Sequence, residues 1–244
     1  MGESSAVIIG ARGGIGAALA DALEQDKNYA QVLRLHRESD QPLDILDEAS
    51  IAAGATSLSA THPPISLVIV ATGLLHSEQK GPEKSLRELE PNWMIENFRI
   101  NAVGPALVAK HFLPIMAKQG PICFAALSAR VGSISDNRLG GWHSYRASKS
   151  ALNMLIRNIA IEWQRKNAQS IVVALHPGTV ETQLSAAKRL MNCWSRLALN
   201  RLWFATANLT SSQADSASAS ASLGHLRLSP CSSSAMSPSL PSTS

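Results

Sequence analysis

Short, predominantly apolar runs recur along the first 180 residues, and helical patterns separate most of them. The runs are AVIIG (6–10), AQVLRL (30–35), PLDIL (42–46), ISLVIVA (65–71), PICFAAL (121–127) and SIVVALHPG (170–178). They do not alternate apolar with polar residues, so they read as strands buried on both faces. Between them lie GIGAALADAL (14–23), a long helical stretch over 83–118 and a helix over 143–166. The long stretch is broken near Pro91 and softly interrupted at Gly104-Pro105. Strands that alternate with helices predict an α/β fold: a doubly wound parallel sheet with helices on both faces, in a single domain. Ligands of such sheets bind beyond the carboxyl ends of the strands.

Composition narrows the function classes. The 244 residues are enough for a large core, and no run approaches the 18 or more apolar residues of a membrane span. The N-terminus reads as a short polar lead into a strand, and no secretory leader is expected. Cys123, Cys193 and Cys231 have no metal-ligand spacing, and their odd number argues against a disulfide scaffold. A cytoplasmic protein without a metal is expected. The net charge of +4 is modest and no basic stripe precedes residue 188, so no nucleic-acid partner is expected.

The first strand runs into VIIGARGGIGAALA, which sets Gly10, Gly14 and Gly16 in the turn to the first helix. Gly10 permits the tight turn, Gly14 lets the backbone approach a pyrophosphate, and Gly16 allows close packing of the helix. The N–H groups of the helix N-terminus then meet the phosphate charge. This is the context of a Rossmann-type dinucleotide site. The residue that reads the adenosine ribose stands at the end of the second strand, where an acid favours NAD and a base favours NADP. That strand ends RLHRES, with His36 and Arg37 and no carboxylate before Glu38. Arg37 offers a planar fork for a 2′-phosphate, and Arg12 in the glycine loop adds a second charge. NADP(H) is the expected cofactor.

GGWHSYRASKSALNMLI (140–156) carries Tyr145 and Lys149 four residues apart, and therefore on one helix face. Alone, this pair is either a reaction centre or a solvated helix surface.

The ordered set of motifs resembles the short-chain dehydrogenase/reductase family, in particular its smaller carbonyl-reductase members and the C-factor-like proteins. It comprises Gly10, Gly14 and Gly16, Asp44 after the third run, Ala71-Thr72-Gly73, Asn101, a serine after the fifth run, Tyr145-x-x-x-Lys149 and HPGTVET (176–182). The match runs from about Ala6 to Leu184. The resemblance implies that Tyr145 exchanges a proton with a carbonyl or alcohol oxygen. Lys149 then favours the phenolate and binds the nicotinamide ribose, and Asn101 holds a water of a proton relay. Ile15, Asp44, Ile45, Ala71, Thr72, Gly73, Pro177, Gly178, Val180 and Thr182 join the cofactor site. The function implied is NADPH-dependent reduction of a ketone or aldehyde, reversible with the alcohol. An NADP-binding sensor with little turnover is the alternative. The helices around 92–118 and 143–166 are those through which the family forms homodimers or homotetramers.

Two departures stand out. The serine pair that follows the fifth run in the family reads LSARVGSI, so Ser128 is present, Ala129 takes the second position, and Ser133 is a stand-in. ATG (71–73) stands where the family has Asn-Ala-Gly, and Thr72 is read as replacing an amide that braces the central strands, a structural change with no catalytic implication. Residues 1–185 are expected to form the dinucleotide-binding and catalytic domain. A basic amphipathic helix is expected at 186–206, then a poorly ordered Ser/Ala-rich tail at 207–244 with no seventh strand.

Overall fold

The computed structural model describes residues 4–61 and 63–177. The expectations placed on Gly178, Val180, Thr182, the helix at 186–206 and the tail at 207–244 lie outside the described residues.

Among the described residues five strands form one parallel sheet: β1 (Ser5–Ile9), β2 (Gln31–Leu35), β3 (Ile65–Val70), β4 (Ile122–Leu127) and β5 (Ser170–Leu175), in the order β2-β1-β3-β4-β5. The helices are α1 (Gly14–Asp26), α2 (Glu48–Thr61), α3 (Pro91–Phe98), α4 (Gly104–Phe112) and α5 (His143–Gln164). The strands are apolar throughout because both faces are covered. Val7 and Ile9 of β1, Val68 and Val70 of β3 and Phe124 of β4 share one core with Ile51 of α2, Phe112 of α4 and Leu152 of α5. Ala6 and Ile8, Leu67 and Ile69, and Ala125 face the other way, onto Ala20 and Leu23 of α1. The expected doubly wound sheet is therefore observed.

Two local expectations are corrected. PLDIL is not a third strand but an extended turn leading to α2. Asp44 accepts the N–H of Leu46 at 2.9 Å and its carbonyl accepts that of Asp47 at 3.1 Å, so local side-chain bonding closes the backbone on itself. The stretch 83–118 is divided where expected, at Pro91 and at Gly104, but its first part is not helix. Residues 83–90 hold only a single 3-10 turn at Leu86–Glu88, and α3 starts at Pro91, whose missing N–H costs nothing in the first turn. A π-type turn, Arg99–Val103, separates α3 from α4.

Candidate active site

The order β2-β1-β3 reverses the direction of winding between β1 and β3, opening a crevice beyond their carboxyl ends. The glycine loop fills that point. Gly10 has φ 84°, a left-handed conformation that an L side chain resists, and a Cβ there would stand 2.9 Å from Thr72 Cγ2. A Cβ on Gly16 would lie 2.3 Å from the Gly10 carbonyl oxygen, so the first turn of α1 can close on the loop only without a side chain. Gly14, by contrast, faces open space. Helix α1 starts there with no side-chain cap and no acid in its first turn. Beside it, the buried Thr72 Oγ1 has no hydrogen-bond partner. An open glycine, an uncapped helix N-terminus and an unpaired hydroxyl fit a pyrophosphate.

At the neighbouring end of β2, Gly10 N–H donates to Leu35 O at 2.8 Å, which holds Arg12 close to the residues after β2. Arg12 is ion-paired with Glu38, and Arg37 is exposed. Ile45 packs on Gly104, where a Cβ would be 2.5 Å from Ile45 Cγ1. Pro177 lies just beyond β5, half-buried.

The four expected catalytic residues sit around the carboxyl ends of β3 and β4. Asn101, fully buried in the π-type turn, accepts the N–H of Leu74 at 2.7 Å and donates to Leu74 O at 2.8 Å. It also donates to Ser148 Oγ at 3.1 Å, tying the segment after β3 to α5. π-type turns are frequent at functional sites. Lys149 is 3% exposed and its Nζ donates to the carbonyl of Leu127, the last residue of β4, at 2.8 Å. A Cβ on Gly73 would be 3.6 Å from both Lys149 Nζ and Asn101 Oδ1, so these three residues converge. Lys149 Nζ stands 5.8 Å from the centre of the Tyr145 ring. Burial lowers the Lys149 ammonium to about 8 and pushes the Tyr145 phenol up from its ordinary value.

Ser128 follows β4, and its hydroxyl donates to Asn153 Oδ1 of α5 at 2.7 Å. Ser133 belongs to a separate turn, where its Oγ accepts the N–H of Asp136 at 3.3 Å. Sequence reasoning missed two residues of this region. One is Asn153, one helical turn beyond Lys149 on the same face. The other is Glu83, a buried carboxylate that reaches the start of α5. Among the described residues no group of three His, Cys, Asp or Glu could hold a metal ion.

The family model described as enoyl-(acyl carrier protein) reductase matches residues 9–208. The short-chain dehydrogenase RED3 of Pyricularia oryzae is 30% identical over 207 residues, covering 75% of this chain and 79% of its own. The chain belongs to the short-chain dehydrogenase/reductase family. The C-signal of Myxococcus xanthus is 36% identical over 91 residues, 37% of this chain and 54% of its own. Four such relatives are spanned over only 38–59% of their length. The fold of an NADPH-bound carbonyl reductase from chicken fatty liver superposes with a TM-score of 0.61 at 24% identity, covering 79% of this chain and 88% of that one.

Proposed function

We propose that this short-chain dehydrogenase/reductase reduces a ketone or aldehyde with NADPH, reversibly with the alcohol. The observation that carries the reading is the convergence of Asn101 and Lys149 at Gly73, beside the glycine loop, with the Tyr145 ring 5.8 Å from Lys149 Nζ. Bound NADPH supplies the hydride. The chain's own residues supply position and a proton. Burial keeps the Tyr145 phenol protonated, as a donor to a carbonyl oxygen must be. The Lys149 ammonium, fixed by Leu127 O, stabilises the phenolate that proton transfer leaves behind. Ser128 steadies the carbonyl, with Asn153 setting the direction of its hydroxyl.

Arg37 and Arg12 at the end of β2 favour NADPH over NADH through the 2′-phosphate. The chicken carbonyl reductase with NADPH and a Burkholderia multivorans short-chain dehydrogenase/reductase with NADP support that choice. No helix among the described residues is long and apolar enough to cross a membrane, and we place the protein in the cytoplasm. Large apolar side chains are exposed at Ile95 and Val103 and, on α5, at Met154 and Ile161, in the helices expected to join copies of the chain.

The second reading, an NADP-binding sensor, is favoured by Ala129, which offers no hydroxyl beside Ser128. Both readings are tested by NADPH consumption with a panel of ketones and aldehydes, alongside cofactor titration. Turnover with any of these compounds supports the reductase. Tight NADPH binding with no turnover across the panel supports the sensor.

A further inference from the structure

We infer that Glu83 is a positioning residue for Tyr145, acting through the first turn of α5. The inference rests on the reading of Tyr145 as proton donor. Helix α5 opens without a cap of its own: its N-cap residue, Trp142, has no side-chain oxygen and sits at φ 52°, in the left-handed region. The residues best suited to that position carry a short acceptor side chain that satisfies the second or third N–H of the helix. Glu83, 60 residues earlier in the chain, supplies the acceptor instead. Its carboxylate is 1% exposed. Oε2 accepts the Ser144 N–H at 3.3 Å and Oε1 accepts the Ser144 hydroxyl, while the Glu83 carbonyl accepts the Trp142 N–H at 2.5 Å. Three contacts thus hold the two residues that flank His143, immediately before Tyr145.

The chain is shaped to reach this carboxylate. Gly140 and Gly141 both have φ 64°, and a Cβ on Gly141 would stand 3.4 Å from Glu83 O. The Trp142 ring then meets the Tyr145 ring edge to face, with centres 6.4 Å apart. A negative charge at the N-terminus of a 22-residue helix is also favoured by the helix dipole. Lys149 lies one turn further on and is held by Leu127, and the glycine loop belongs to other elements. Loss of Glu83 therefore loosens Tyr145 and leaves cofactor binding in place.

The test compares Glu83→Ala and Glu83→Gln with wild type in NADPH oxidation and NADPH titration. Glu83→Ala is expected to lower kcat about tenfold or more, the scale on which a small misplacement of a reacting group acts. Its NADPH Kd stays within about twofold of wild type, and Glu83→Gln, which keeps an acceptor for Ser144, recovers most of kcat. Wild-type kcat in Glu83→Ala, an equal loss of NADPH affinity, or a Gln variant as poor as Ala would overturn the proposal. If Glu83→Ala does not fold, Ser144→Ala takes its place: a lower kcat at unchanged Kd supports the assignment, and an unchanged kcat refutes it. Tyr145→Phe is run in parallel. An active Tyr145→Phe, or a wild type without turnover, is a failure of the reductase reading and not of the Glu83 grip. In that event hydrogen exchange at the Ser144 amide decides: faster in Glu83→Ala and restored in Glu83→Gln supports the grip, and unchanged exchange defeats it.

Discussion

Burial drives Lys149 and Tyr145 toward their neutral forms, and the two consequences differ. The phenol stays a proton donor well into alkaline solution, whereas the ammonium, brought from 10.5 to about 8, is charged below that pH and neutral above it. NADPH affinity that depends on Lys149 should hold near pH 7 and fall as the pH rises through about 8. Fluorescence titration across that range checks it, and Lys149→Met should remove the fall. At the other end of the site, Arg37→Ala should weaken NADPH binding by about 1.5–3 kcal/mol, the scale of a charge-assisted hydrogen bond, and leave NADH binding nearly unchanged. Equal wild-type affinities for the two cofactors would sink the NADP assignment. Ser128→Ala should cost more activity than Ser133→Ala, because Asn153 fixes the first hydroxyl at the end of β4, whereas the second is bonded within its own turn to the Asp136 N–H. Single residues with a motif around them were legible in the sequence. Glu83 was not, since nothing local relates it to a helix that starts 60 residues later.

Among elements, the strands were legible because a strand buried on both faces is written as an unbroken apolar run. One strand was misread and one helix went unread, for different reasons. PLDIL has the apolar residues of a strand, yet Asp44 bonds its own turn, while Leu43 alone is buried. Helix α2, EASIAAGATSLSAT, buries Ile51, Ala55 and Leu58 through small and hydroxylated residues that give little apolar periodicity to read. Close approach between elements is where single methyl groups matter. Gly104→Ala would push a Cβ into Ile45, whose Cγ1 and carbonyl oxygen stand 2.5 and 3.0 Å away. That overpacking should destabilise the protein by about 1–3 kcal/mol, visible as a lower midpoint in urea, and weaken NADPH binding through the displaced segment 44–45. An unchanged midpoint and Kd would show that α4 and that segment are not coupled.

At the scale of the molecule, the change of winding between β1 and β3 opens a crevice at the glycine loop, and Asn101 and Lys149 come together beside it at Gly73. Exposed Met154 and Ile161 on α5, with Ile95 on α3, lead us to expect self-association through these helices. Sedimentation at micromolar concentration should show a dimer or tetramer, and Met154→Glu with Ile161→Glu should shift it toward monomer. A monomeric wild type would remove that part of the account. On our proposal this crevice houses a reductase whose proton comes from Tyr145. Steady-state NADPH oxidation by wild type and Tyr145→Phe, with NADPH Kd measured on both, tests it most directly. Removing the phenolic hydroxyl should cut kcat by about 10²–10⁴-fold, the usual contribution of a positioned acid, with Kd nearly unchanged. Wild-type turnover in Tyr145→Phe would mean that the proton does not come from Tyr145.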